Sequence, residues 1–300
     1  MPIILCFLAE AVAHKYTIGS IEGTLSAVAD HHQLKSGGMS KGPTHSFVVK
    51  RALQGVRKIL GSTSQGHPLP AIAIPTTFMR ALLYVTEKMA WKAARRGDFR
   101  QAFGHTRDGW YYASTFIVAL RKEESMDTCW GDITESKTEP DKSGEMFIRK
   151  SKTDQLGVGV SIPFAWRTDS GLDIRRSLEL HKQSYAALGL NWRKCPIFGR
   201  MDDPTTRLAS ASSIIQRLNL IYFKEIENLG VQLSEDFKLS GHSFRRGGIN
   251  AIRDAARAKG ISDDQLKMLL MRFGRWRDER SVLVYLVENM QELLKLTQRL

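Results

Sequence analysis

The sequence predicts a mainly α-helical protein with a small antiparallel β-sheet (α+β), divided into a short all-helical part and a larger mixed part. Three observations predict it. Apolar residues recur at helical spacing through most of the 300 positions. Short alternating runs are confined to the middle of the chain, around residues 129–164. The stretch G-S-T-S-Q-G-H-P-L-P at 61–70 is rich in the residues that interrupt regular structure.

Residues 2–13 read as a helix with no cap before it, so the natural domain is expected to begin upstream. Thr17 or Ser20 can cap a second helix that runs through Leu25 and Val28 to His31-His32. No other residue with ligand spacing lies near that histidine pair, which reads as a polar helix end. A basic helix from about Ser46 to Leu60 completes a small domain, 1–62. A linker, 63–74, and a second domain, 75–300, follow. The G-x-x-x-x-G at 61–66 begins like a phosphate loop, but His67-Pro68 stand where Lys-Ser/Thr is required.

In the second domain Thr76 or Thr77 can cap a helix through Leu82, Leu83 and Met89. Lys92, Arg95, Arg96 and Arg100 then form either a solvated basic face or a phosphate contact. From Trp110 to Leu120 the chain is apolar on nearly every side, which predicts a buried helix. Arg121 leaves that helix and needs an anionic partner, because an unpaired buried charge is costly. Either Glu124, one turn on, is that partner, or Glu124 braces Arg121 while the guanidinium faces a phosphate. Strands are expected at Cys129–Thr134, Glu145–Lys150 and Gly157–Phe164, with Lys152 at the tip of the second hairpin. Two amphipathic helices, 173–189 and 211–228, come next.

The stretch Leu239–Leu286 gathers the chemistry. Ser243 or Ser240 can cap a helix to about Lys259, with Gly260 after it. Gly247-Gly248 inside that helix predict close approach of another backbone, from either a neighbouring helix or DNA. G-H-S-F-R is not a serine-hydrolase elbow, since Arg245 replaces the second glycine. His242 and Arg245 lie one turn apart. Ser262-x-x-Gln265 is a capping box for a short helix ending at Gly274. A last helix from about Asp278 carries the apolar stripe Leu283, Leu286, Val287, Met290 and Leu294, which places Tyr285 off the core.

Composition narrows the partners. Lys+Arg number 44 against 31 Asp+Glu, a net +13 with pI near 9.7, which favours a polyanionic partner. The excess is spread along the chain, with +4 in residues 1–66 and +9 in the remainder. Cys6, Cys129 and Cys195 are odd in number and widely spaced, so neither a disulfide framework nor a zinc knuckle is indicated. No stretch approaches the roughly 18 uninterrupted apolar residues of a membrane span, and an intracellular location is expected.

These residue types suit attack on a phosphodiester. Guanidiniums are permanently charged and bind phosphate oxygens bidentately. A tyrosine, with an ordinary pKa of about 10, becomes a nucleophile once cations or a base activate it. Histidine can take its proton and lysine can protonate the departing oxygen. Trp276 can pack against the site, and fixed cations can carry the stabilisation, so no metal or cofactor is expected.

The segments A-L-R-K-E-E with W-G-D-I, K-S-K-T-D-Q, G-H-S-F-R-R-G-G, G-R-W and the nine-residue step from Trp276 to Tyr285 resemble the tyrosine recombinase (phage-integrase) family over roughly residues 75–290. The wording of K-S-K-T-D-Q and H-S-F-R-R-G-G is most similar to recombinases of DIRS-type or crypton mobile elements. The resemblance implies a tyrosine recombinase catalytic domain at 75–300 and, more loosely, a core-binding (SAM-like) DNA-binding domain at 1–62. It implies that Arg121 and Arg245 clamp the phosphate, Lys152 protonates the 5′ leaving oxygen, and His242 assists proton transfer. Trp276 would stand where the family has His or Trp, Tyr285 would form a 3′-phosphotyrosine, and Glu124 would support Arg121. Lys92, Arg95, Arg96, Arg100, Arg246 and Arg275 are the expected DNA contacts. Four protomers on two DNA duplexes, strand exchange without ATP or metal, and a nuclear or cytoplasmic site of action according to host are also implied. The polar K-E-E-S after Arg121 and the long segment between Arg245 and Trp276 depart from the family pattern. The open alternatives are a non-catalytic DNA-binding relative and a type IB topoisomerase-like nicking-closing enzyme.

Overall fold

Apolar spacing and capping residues account for most element boundaries in the two units into which the chain divides, Met1–Pro70 and Ala71–Leu300. The computed structural model describes residues 2–38, 42–61, 71–151, 154, 157–231 and 239–286. The expected linker falls largely outside them.

In the first unit α1 (Pro2–Ala13), α2 (Ile18–Lys35) and α3 (Phe47–Gly61) bury one cluster that includes Leu8, Ala11, Ile21 and Val49. Thr17 is the cap of α2, its hydroxyl accepting from the Ser20 amide at 3.2 Å. Arg57 on α3 pairs with Glu22 on α2 at 2.7 Å.

The second unit is built round α5 (Phe99–Ile117), against which α4 (Thr76–Arg95) packs; a short α6 (Lys122–Asp127) follows. Neither threonine caps α4, whose N-cap is Pro75 in extended backbone. The helix expected at Trp110 starts at Phe99, where Asp98 accepts from the Gln101 amide at 3.1 Å. Its first half reads as polar because it carries His105, Arg107 and Asp108, yet all three are buried. Asp108 accepts from Arg107, from Arg217 at 2.6 Å and from the Tyr222 hydroxyl at 2.8 Å, so the buried charge is paired and hydrogen-bonded.

Three antiparallel strands, β1 (Ile133–Glu135), β2 (Ser143–Ile148) and β3 (Val160–Ala165), lie in the order β1-β2-β3. Met146 is opposite Ile133 and Ile162, and alternate residues Met146, Ile148, Ile162 and Phe164 enter the core. β1 is shorter than expected because Trp130–Asp132 form a 3-10 turn. Lys152, in the β2–β3 connection, lies outside the described residues. Beside it the Asp154 carboxylate accepts from the amides of Val158 and Gly159.

Next, α7 (Ile174–Ala187) packs on α5, and α8 (Ser212–Arg217) runs through a π-helical turn, Leu218–Tyr222, into α9 (Phe223–Glu227). In a regular α-helix residues 217 and 222 would point about 140° apart. The wider π-turn brings both onto Asp108, and Arg217 Nη2 donates to Tyr222 Oη at 3.0 Å.

The last elements among the described residues are α10 (Gly241–Ala258), α11 (Asp263–Gly274) and α12 (Arg280–Leu286). Ser240 is the N-cap of α10, Gly260 follows its end at φ +72°, and Ser262 with Gln265 forms the capping box of α11. Contrary to its expected off-core position, Tyr285 on α12 packs against a buried cluster. Val282 is fully buried, and Tyr285, three residues on, is half-buried at the edge of the same cluster. The expected stripe from Val287 onwards lies outside the described residues.

Candidate active site

The site lies where α5 stops. Ala119 adopts a left-handed conformation, φ 49°, just past the last turn, and the Leu120 amide folds back to the Thr115 carbonyl at 3.1 Å. That corner turns the chain into α6 with Arg121 as its N-cap, so a charged side chain emerges beside a dry helix end. Glu124 sits one turn later and is almost wholly buried. Its Oε1 accepts from Arg121 Nη1 at 2.6 Å, and its Oε2 accepts both the Arg121 amide at 2.8 Å and Arg275 Nη2 at 2.6 Å. Burial pushes this carboxyl up, but Arg275 and the bonds from Arg121 outweigh burial and hold it below its usual range. Glu124 is therefore both an ion-pair partner of Arg121 and a brace shared with a second cation.

α10 reaches the same corner because two glycines let it. A Cβ on Gly248 would stand 1.9 Å from the Phe116 carbonyl oxygen, and one on Gly247 would stand 2.3 Å from that of Ile74. The backbone that approaches is that of the neighbouring helix and of the segment before α4. The Ile74 amide also donates to the Ser243 carbonyl at 3.1 Å. Seated this way, α10 buries Arg245, whose guanidinium donates to the carbonyls of Ala119 and Gly274 and lies 5.0 Å from the centre of the Trp276 ring. Burial, then Arg275 and Arg121, draw its pKa down to about 9, against the pull of Glu124 and Tyr285.

Tyr285 closes the group. Its ring is 5.0 Å from that of Trp276, and Arg246 lies 5.7 Å from its centre. Its backbone carbonyl accepts from Arg253 Nη1 at 3.0 Å. Burial raises the phenol pKa, while Arg245, Arg246 and Arg121 pull it down and leave a net rise. Those three cations are close enough to act on one phenol. The arrangement can hold an anion between guanidiniums and present to it an oxygen that stays protonated at neutral pH until a base takes its proton.

Arg121, Glu124, Arg245, Arg246, Trp276 and Tyr285 thus come together. His242 is exposed on the first turn of α10. Arg275, expected on the DNA-contacting surface, is instead 8% exposed with its guanidinium spent on Glu124 and the carbonyls of Val118, Ala119 and Phe273. Lys92, Arg95, Arg96 and Arg100 are exposed, but at the far end of α5. A helix of that length separates them from Arg121 by roughly 28 Å. Arg253 was not singled out from the sequence. Its signal was the seven-residue step from Arg246, two helical turns, which puts both arginines on the face of α10 that meets α12. Among the described residues no group of three or more His, Cys, Asp or Glu could hold a metal ion, and no helix is long and apolar enough to cross a membrane.

No protein-family model matches the sequence, and no curated protein matches it. Solved structures do. The chain is similar to the XerH site-specific recombinase bound to its difH substrate before cleavage, at 12% identity, 85% of this chain, 67% of that chain and TM-score 0.47. It is similar to the post-cleavage XerH complex on a palindromic difH substrate at 12% identity, 91% and 71% coverage and TM-score 0.49. A lambda integrase dimer bound to a COC′ core site matches at 12% identity, 92% and 78% coverage and TM-score 0.48.

Proposed function

We propose that this protein is a tyrosine-type DNA strand-exchange enzyme that cuts and rejoins DNA through a 3′-phosphotyrosine. The observation that carries the reading is the convergence of Arg121, Arg245 and Arg246 on the Tyr285 phenol, with Glu124 bracing Arg121 and Trp276 in contact with both Arg245 and Tyr285. Fixed guanidiniums beside a nucleophilic oxygen are what transfer at a phosphodiester requires.

In the proposed reaction the scissile phosphate lies against Arg121 and Arg245. The Tyr285 oxygen attacks phosphorus and gives up its proton, for which His242 is the assigned base. The phosphorus–5′-oxygen bond breaks and Lys152 supplies the proton that oxygen needs. One phosphodiester is exchanged for another of similar energy, so attack by a 5′-hydroxyl reverses the step without ATP. Residues 1–62 act as a second DNA grip and four protomers assemble on paired sites, in the manner of a mobile-element recombinase.

The test is a suicide duplex nicked beside the cleavage point, incubated with the protein in EDTA. A covalent adduct that survives SDS is expected, and it disappears in Tyr285→Phe. An adduct that persists in Tyr285→Phe would remove the assigned nucleophile. If no adduct forms on a randomised DNA pool, the chain is a DNA-binding relative. Relaxation of supercoils without synapsis of two sites would instead mark a nicking-closing enzyme.

A further inference from the structure

Arg121 and Arg245 take up the phosphate in the proposed chemistry, and Arg275 has no part in it. Yet Arg275 is an expensive residue. Its backbone is left-handed, φ 55° and ψ 46°, a region where glycine sits freely and a side chain adds strain. Its guanidinium is buried and donates to Ala119 O at 2.8 Å, to Val118 O at 3.2 Å and to Glu124 Oε2 at 2.6 Å. Ala119 is itself left-handed, and its carbonyl also accepts from Arg245. Two strained turns, 156 positions apart in sequence, are thereby joined through guanidiniums.

The charge balance gives this arrangement a purpose. Glu124 offers one oxygen to Arg121 and the other to Arg275. With Arg121 alone, the carboxylate would cancel the charge meant for phosphate. With Arg275 present, the guanidiniums of Arg121, Arg245 and Arg275 stand against one carboxylate, so this corner keeps two positive charges, and Arg246 beside the phenol adds a third. A phosphodiester under attack by an oxyanion calls for such a cationic excess.

We infer that Arg275 is a positioning residue of the phosphate site, which takes up the charge of Glu124 so that Arg121 keeps its own for the substrate, and which pins the left-handed turn at Ala119. The inference rests on the proposed function for its substrate, but not for its test.

That test is calorimetric titration of the full chain with inorganic phosphate at fixed ionic strength, alongside the covalent assay. Arg275→Gln should weaken phosphate binding about tenfold or more, since a unit charge is lost from a partly dry array. Arg275→Gly relieves the backbone yet should lose as much, because the guanidinium rather than the turn is what counts; it also serves if the glutamine variant does not fold. The double variant Glu124→Gln/Arg275→Gln restores the net charge of the unaltered site and should bind phosphate at least about threefold more tightly than Arg275→Gln. Unaltered binding in either single variant overturns the inference. So does a double variant as weak as Arg275→Gln, or an unaltered protein that does not bind phosphate. If the unaltered protein binds phosphate but never forms a DNA adduct, the strand-exchange reading falls and the titration still decides the role of Arg275.

Discussion

The backbone carbonyl of Tyr285 lies 3.0 Å from Arg253 Nη1, so a side chain rooted on α10 holds the helix that carries the phenol. The same guanidinium is fixed by Asp254 at 2.8 Å. A hydrogen bond from a charged donor contributes about 1.5–3 kcal/mol. Arg253→Met should therefore slow adduct formation about ten- to a hundredfold while duplex affinity changes little, as read by single-turnover cleavage beside a filter-binding isotherm. Equal loss of binding and cleavage would mean that Arg253 only supports the fold.

Arg245 makes two divergent bonds to Ala119 and Gly274 while lying under Trp276. A lysine carries the charge but not the planar fork. Arg245→Lys is expected to cut the cleavage rate by about 10²–10³, the range seen when one fixed transition-state donor is lost. Cleavage within threefold of the unaltered rate would exclude Arg245 from the phosphate clamp.

Gly248→Ala should be among the most damaging methyl additions in the second unit. Its Cβ would meet a backbone oxygen, which cannot rotate away, at 1.9 Å. A loss of at least about 3 kcal/mol in urea unfolding is expected, or failure to accumulate folded protein. Gly131→Ala, where nothing lies within 4 Å of the new methyl, is the matched control and should be near neutral.

Acid should unfold the second unit early. His105 and His181 are buried, and desolvation, the largest cause in each, lowers their pKa values to about 4. The unfolded chain, with histidines near 6.5, takes up protons first. The stabilisation is thus complete above about pH 6.5 and is lost as pH falls through about 4. Each histidine contributes on the order of 3 kcal/mol across that window. Denaturant midpoints at pH 7 and 4.5 measure it, and a curve flat between them would contradict the burial argument. Replacing His181 with glutamine should flatten part of the slope.

The site's local words were legible because short spacing along a helix survives folding. Arg245 follows His242 by one turn, and Ser262 with Gln265 announces the start of α11. Long-range pairing was not legible. Nothing near Asp108 in sequence tells that Arg217 and Tyr222 neutralise it, so the buried helix was expected only from Trp110 onwards. Nor does the word G-R-W reveal that its arginine turns inward, since that follows from a left-handed backbone and from a carboxylate 151 positions away. Tyr285 was placed off the core because the apolar run from Leu283 onwards outweighed Val282, which is buried in one cluster with Ile249, Leu266 and Leu270.

The π-turn at Leu218–Tyr222 carries a consequence for insertions and deletions. A π-turn holds one residue more than the α-turn it replaces. Regularising the helix at constant length would set Tyr222 about 140° from Arg217 and take its hydroxyl off Asp108. Removing one residue from 219–221 instead leaves an ordinary α-turn, in which the tyrosine follows Arg217 by four positions, about 40° away, and keeps its place on Asp108. A one-codon deletion here should thus harm the protein less than an insertion, or than a substitution that drives the π-turn towards α geometry.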